Sequence, residues 1–195
     1  MAALTELSAS LQGFQARAIA VDGTSGSLLL CSPVDGRPLG HALMYDDQRS
    51  HDGLERLQGV APASAAVRSA SASLPKLLHL LDKLAPNADQ VLALHQAEWV
   101  SCMLMGRFGT GDENNCLKLG YDSVTQRWPD WLTALLPREL LPVVVPPGTV
   151  IGTVRPELKE RYGLEPSCLV VAGTTDSNAA VLATGAHQTG DAVTS

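Results

Sequence analysis

The 195 residues predict an α/β domain, on three observations. Short, wholly apolar runs recur along the chain, segments with apolar residues at three- and four-residue spacing lie between them, and polar turns rich in Gly, Thr, Ser, Asp and Pro separate the two. Runs this apolar fit strands covered on both faces.

Leu4, Leu7 and Leu11 share a helical face, so the first dozen residues predict a helix that turns at Gly13. Residues 18–21 read as a strand ending in the polar turn 22–26, and residues 28–31 as a second. Pro33, Asp35, Gly36 and Pro38 signal a reverse turn, so residues 27–45 predict a β-hairpin. Residues 50–72 are Ala/Ser-rich and take no assignment. Leu74, Leu77, Leu78 and Leu81 mark an amphipathic helix with Pro75 in its first turn, stopped at Pro86 and Asn87. Residues 91–94 predict a strand, and 98–105 a helix ended by Gly106. From 109 to 147 the chain reads as loop, apart from a short helix opened by Trp128 to Trp131 and an extended segment at 140–145. Residues 156–162 predict a helix stopped by Gly163, 168–172 a strand, and 177–186 a small-residue helix.

Composition narrows the function. With 45% hydrophobic and 17% charged residues, disorder and coiled coil are excluded. Fourteen basic residues against twenty acidic ones give a net charge of -6, with no basic cluster to hold a phosphate backbone, so nonspecific nucleic-acid binding is not expected. The apolar runs fall far short of the ~20 residues that cross a bilayer, so no membrane partner is expected. The start lacks a basic-then-apolar export signal, which predicts a cytoplasmic location. Cys31, Cys102, Cys116 and Cys168 form no CxxC pair and have no His at metal-ligand spacing, which predicts reduced, buried thiols and no metal site.

In α/β sheets ligands bind beyond the carboxyl ends of strands, where loops open and helix N-termini present free amides. Two segments have that position, 22–26 and 173–177. Their Gly, Thr and Ser residues let backbone amides approach an anionic or polyhydroxy ligand. Asp176 either accepts a proton from a substrate hydroxyl or caps the following helix. Asp22 reads as a turn residue, and the pair Asp46 and Asp47 as a solvated turn or a sugar-hydroxyl contact. His95 reads as a core histidine, and Trp99, Trp128 and Trp131 as core aromatics more than as stacking platforms. The Asp22 to Ser25 stretch is similar to the Asp-x-Gly-Thr phosphate loop of actin-like and hexokinase-like proteins, but the spacing differs and a helix precedes the strand.

Taken in order, the blocks 19–30 (IAVDGTSGSLLL), 43–47 (LMYDD), 95–104 (HQAEWVSCML), 112–121 (DENNCLKLGY), 141–152 and 171–180 (VAGTTDSNAA) resemble the FGGY carbohydrate kinases, and among them the plant and cyanobacterial ribulose or xylulose kinase-like branch. The resemblance runs from Arg17 to Ser195 and is most specific at 173–177. It implies an incomplete ribonuclease H-like domain of the actin/hexokinase superfamily, a mixed sheet flanked by helices. The whole of 1–195 is then a partial N-terminal kinase domain, with the first phosphate-loop hairpin and the C-terminal domain outside it.

The resemblance also implies the chemistry. Asp176 matches the catalytic base that deprotonates a sugar hydroxyl attacking the γ-phosphorus of MgATP. Thr24, Ser25 and Asp47 match sugar-contacting positions, and Gly173 and Thr174 contact the nucleotide. The partners are then a ketopentose, D-ribulose foremost, and ATP, in the cytoplasm or a plastid. A domain holding the base without the phosphate clamp is expected to turn over little alone, because phosphoryl transfer depends on positioning and charge neutralisation. An unpaired sheet edge predicts self-association. Two other readings stand beside this one: a noncatalytic sugar-binding or assembly module, and a small hydrolase using Asp176 with Ser177. The hydrolase lacks a Gly-x-Ser-x-Gly elbow.

Overall fold

The computed structural model describes residues 2–10, 15–84, 87, 90–165, 167–186 and 188–192. In chain order these form α1 (Ala2–Ser10), β1 (Ala18–Ala20), β2 (Leu28–Cys31), α2 (His51–Arg56), α3 (Ser73–Leu84), β3 (Leu92–His95) and α4 (Gln96–Met105). There follow β4 (Thr110–Asp112), α5 (Glu113–Cys116), α6 (Asp130–Thr133), β5 (Val143–Val145), β6 (Val150–Thr153), α7 (Pro156–Tyr162), β7 (Leu169–Val171) and α8 (Asp176–Ala183).

The antiparallel pair β2 and β3, with Leu28 opposite His95 and Cys31 opposite Leu92, is buried at every position and divides the interior in two. Side chains alternate across a strand, so Leu28 and Leu30 enter one apolar cluster while Leu29 and Cys31 enter the other. Leu74, Leu77 and Leu78 of α3 close the first cluster with Leu119, Leu132 and Leu140. Cys102, Leu104 and Met105 of α4 close the second with Leu158, Cys168 and Val170. The two clusters hold most of the apolar burial.

A second sheet has the order β1-β7-β6, with β1 parallel to β7 and β6 antiparallel to it. β4 and β5 form a short parallel pair. β1 lies at a sheet edge, and its Ala18 and Ala20 are exposed. The expectation of strands buried on both faces therefore holds for β2 and β3 but not for β1. α8 buries none of its residues, and Val181 and Leu182 are exposed.

Several local signals act as expected. Pro156 opens α7, and Gly106 and Gly163 close α4 and α7 with positive φ values of 72° and 62°. α4 starts at Gln96, ahead of the predicted 98, because the Glu98 carboxylate reaches back to accept from the His95 amide at the cap position. α3 ends at Leu84; the stop predicted at Pro86, like Leu11 and Gly13 of the first helix, lies outside the described residues.

The 27–45 hairpin is corrected. Residues 38–43 return alongside β2 through two isolated bridges, Cys31 to Pro38 and Leu28 to Leu43, without forming a second strand. Pro38 has no amide to donate, and Gly40 offers no side chain to pack. The sequence also gave no sign of α2, β4, α5 or β6. β4 consists of Thr, Gly and Asp, of which Gly and Asp are depleted in strands, and tertiary pairing with Val143 to Val145 overrides that preference.

All four cysteines are buried and free. Burial foremost, then the neighbouring Cys102, pushes the Cys31 thiol up to about 12, and burial also raises Cys102, Cys116 and Cys168. The expected result is that a thiol-titrating disulfide reagent at about pH 8 labels none of the four quickly in the native protein and all four after unfolding. Fast labelling of the folded chain would contradict this packing.

Candidate functional site

Because β1 and β7 run parallel, the loops leaving their carboxyl ends emerge side by side. Gly23 and Thr175 form a parallel bridge, the Gly23 amide donates to the Thr174 carbonyl at 3.3 Å, and the Asp176 amide donates to the Gly23 carbonyl at 2.9 Å. The Thr174 amide donates to Asp22 Oδ1 at 3.2 Å. A Cβ on Gly173 would collide with the Val21 carbonyl oxygen, so this approach admits only glycine. The void lined by Val21, Ala97, Glu98, Gly111, Asp112 and Gly173 is about 10 Å³, room for at most one water. The fold thus joins the two loops that the sequence singled out separately.

Asp176 is the first residue of α8 and not its cap. Thr175 holds the cap position, with an extended backbone (φ −78°, ψ 151°) and its hydroxyl accepting from the Asn178 amide at 3.4 Å. The capping alternative for Asp176 is therefore corrected. Its carboxylate is exposed, and Oδ1 accepts from the Ser177 amide at 2.7 Å and from the Ser177 hydroxyl at 3.3 Å. Its backbone is fixed by Gly23, one residue before Thr24.

Thr24 and Ser25 are half-buried in a turn closed by the Ser27 amide donating to the Thr24 carbonyl at 3.2 Å. Gly26 takes φ +89° there, a value that a β-carbon disfavours. The Thr24 hydroxyl lies 2.8 Å from that of Ser27 and donates weakly, at 3.5 Å, to Gln96 at the start of α4.

Thr174 has its polar groups turned inward. Besides its amide bond to Asp22, Thr174 accepts at its hydroxyl from Asn114 Nδ2 at 2.8 Å, and it is 5% exposed. Asn114 is held by α5, whose cap Asp112 accepts from the Asn114 and Asn115 amides and from Asn115 Nδ2 at 2.7 Å. Burial, and then the charge of Glu98, raises the Asp112 carboxyl above its ordinary range.

Asp47 lies on a different loop, a turn in which its amide donates to the Met44 carbonyl at 3.0 Å. Both its oxygens accept from Arg49, the closest contact being 2.6 Å from Nη2 to Oδ2. That pairing lowers its carboxyl to about 2. A depressed carboxylate contributes to folding above the ordinary acid range and loses that contribution as pH falls toward 2; exposure of the Arg49 side chain keeps it small. Lys76 of α3 ties this loop to the Thr24 turn: its Nζ donates to the carbonyls of Gly26 at 2.8 Å and Met44 at 2.6 Å.

Beneath the loops, the Glu98 carboxylate is a buried hub. Its Oε2 accepts from the His95 amide at 2.7 Å and from His95 Nδ1 at 2.9 Å, and its Oε1 accepts from Cys116 Sγ at 3.2 Å. With Nδ1 donating, a neutral imidazole leaves Nε2 to accept from the Ser73 hydroxyl, 2.8 Å away. Ser73, His95 and Glu98 thus line up as a nucleophile, base and orienting acid would, yet Ser73 and His95 are 0% exposed and Glu98 4%. No substrate carbonyl reaches them, and His95 is the core histidine the sequence predicted. The ligand-type atoms of His95, Glu98 and Cys116 lie within 4.8 Å of one another, a proximity invisible in their spacing; each already has a hydrogen-bond partner. The aromatics also serve the core: Trp128 stacks edge-on to Tyr121 at 5.2 Å, and Trp99 Nε1 donates to the Gly36 carbonyl at 2.7 Å.

Sequence reasoning missed Lys76, Asn114 and the Asp22 bond to Thr174. A lone lysine between leucines on an amphipathic helix was the available signal for the first. The other two depend on a contact across 60 or 152 residues, which no local pattern carries.

No described helix is long and apolar enough to cross a membrane. Among solved structures the chain is similar to xylulose kinase from Rhodospirillum rubrum (TM-score 0.83, 22% identity, 96% of this chain and 41% of that one). It is also similar to ligand-bound xylulose kinase from Lactobacillus acidophilus (0.78, 18%, 94% and 39%). A third is Plasmodium falciparum glycerol kinase with ADP (0.78, 15%, 93% and 39%). These likenesses establish the actin/hexokinase-type sugar kinase fold, of which the chain spans about two fifths of each neighbour's length. The sequence itself matches the N-terminal domain of the FGGY family of carbohydrate kinases over residues 1–183, taking in the first helix, which the motif blocks left out. By that match over most of its length, the chain belongs to the FGGY carbohydrate kinases.

Proposed function

We propose that this chain is the sugar-side domain of an ATP-dependent ketopentose kinase, with D-ribulose as the preferred acceptor and Asp176 as the catalytic base. The observation that carries it is the Asp176 carboxylate: exposed, relieved of capping by Thr175, and held by its own amide to Gly23 beside the Thr24 and Ser25 hydroxyls. In the reaction the sugar hydroxyl gives its proton to Asp176 while its oxygen forms a bond to the γ-phosphorus. The bond from that phosphorus to the β,γ-bridging oxygen breaks, and ADP leaves. Thr24 and Ser25 orient the sugar and Asp47 borders it. Gly173 and Thr174 shape the strand end that faces the nucleotide, the first by close approach to Val21 and the second through Asp22 and Asn114. Mg²⁺ arrives with ATP, and a second domain of the same enzyme supplies the remaining nucleotide contacts.

The pentulose assignment is supported by the resemblance of the 19–30 and 171–180 blocks to ribulose or xylulose kinase-like proteins and by the likeness in fold to two xylulose kinases. ADP release measured with D-ribulose, D-xylulose, glycerol and gluconate, using the full natural polypeptide that carries these residues, tests it. Turnover is expected with D-ribulose first and D-xylulose second, and little or none from the 195-residue chain alone. Faster turnover of glycerol or gluconate overturns the pentulose assignment, and sugar binding without ADP release overturns the kinase reading in favour of a binding module.

A further inference from the structure

Lys76 is 0% exposed although it lies in the first turn of α3, and it is the largest fully buried side chain of the described residues. A buried ammonium is costly unless all its protons find acceptors. Here they do: Nζ donates to the Gly26 carbonyl at 2.8 Å, the Met44 carbonyl at 2.6 Å and, at longer range, the Tyr45 carbonyl at 3.4 Å. The first acceptor belongs to the turn holding Thr24 and Ser25. The other two belong to the turn ending at Asp47, whose own amide also donates to Met44. An apolar side chain at this position would serve the helix face without desolvating a charge. The Leu28 and Leu43 bridge, with two 2.9 Å bonds, joins the roots of the two turns, and the ammonium adds a junction further along them, a direct tie from the Gly26 carbonyl to those of Met44 and Tyr45.

We propose that Lys76 is the positioning residue of the sugar site, its buried ammonium fixing the distance between the Thr24 and Ser25 hydroxyls on one turn and Asp47 on the other. The inference rests on the functional reading above for the identity of the ligand, but the junction itself does not.

Burial pushes the Lys76 ammonium down to about 8; Asp47 and Asp46 on the neighbouring loop oppose that shift, and Lys118 adds to it. Loss of the proton removes one of the three donors, so the junction weakens as pH rises through that value. The folding term has the opposite sign. A lysine whose folded value lies below its ordinary one favours the unfolded chain while protonated, and that penalty fades as pH rises from about 8 toward 10.5. Loosening of the two turns over this interval is therefore not the onset of unfolding caused by Lys76.

Hydrogen–deuterium exchange by mass spectrometry on the intact chain, as wild type, Lys76→Met and Lys76→Arg, tests the junction. Lys76→Met is expected to speed exchange by about tenfold in peptides covering 22–27 and 43–48 together, with β6 and β7 peptides unchanged. Lys76→Arg is expected to restore part of the protection. If Lys76→Met does not fold, the wild type carries the test alone: raising pH through about 8 should loosen the same two segments beyond the intrinsic base-catalysed rise. Unchanged exchange in both segments, or a uniform rise over all peptides, overturns the proposal. In the full kinase, Lys76→Met should raise the KM for the ketopentose by about 10- to 100-fold while leaving that for ATP in place. Equal sugar KM values with coupled exchange would confine Lys76 to loop packing and overturn its positioning role. A wild type that phosphorylates no sugar removes the functional reading, and exchange then decides the junction by itself.

Discussion

Replacing Asp176 with asparagine is expected to lower the rate of sugar phosphorylation by about 100- to 10,000-fold, the range over which a positioned general base contributes. Asparagine keeps the shape and, through its amide oxygen, the bond from the Ser177 amide now made to Oδ1 at 2.7 Å. It cannot take the sugar proton. Since the side chain is exposed and Thr175 does the capping, the folded state should change by no more than about 0.5 kcal/mol. The measurement is steady-state kcat alongside equilibrium sugar binding and a melting curve. Loss of kcat with binding and stability retained assigns the carboxylate to the proton; a kcat within a factor of about two of wild type removes it from the chemistry.

Glu98→Ala is expected to have the largest effect on stability, a loss of about 3–5 kcal/mol, as when one member of a buried charged network is deleted. The change strips the His95 amide, His95 Nδ1 and Cys116 Sγ of their acceptor at once, at 2.7, 2.9 and 3.2 Å. It also opens a hole between α4 and β4, where Gly111 packs directly against the carboxylate. Glu98→Gln keeps the volume and the acceptor for the amide and should cost less, about 1–3 kcal/mol. Urea unfolding with its midpoint and slope separates the two variants. A Glu98→Ala protein within about 1 kcal/mol of wild type would mean that the hub is not what holds α4 to β3.

What the sequence revealed, and what it did not, follows one physical division. Strands β2 and β3 and helix α3 were legible because burial on both sides, or on one helical stripe, writes itself into consecutive residues such as 28–31 or Leu74, Leu77 and Leu78. Helix ends were legible where one residue has one backbone use, as with Gly106 and Gly163. β4 and β6 were not, because a Thr-Gly-Asp segment becomes a strand only through the neighbour it meets. At the site the same division holds. Asp176, Thr24 and Ser25 stood out as polar turns after apolar runs, but their adjacency comes from β1 pairing with β7 across the chain. Lys76 drew no reading at all, since its acceptors at Gly26 and Met44 lie 50 and 32 residues away in the chain.

α8 gives the site an asymmetry of attachment. The Asp176 amide bond to Gly23 anchors its first residue, while no residue of the helix is buried. The helix runs about 10 Å from Asp176 to Ala183 at 1.5 Å per residue, so its exposed apolar pair, Val181 and Leu182, stands more than a turn away from the carboxylate at its root. Whatever packs on that pair does so without touching the group that Gly23 holds in place.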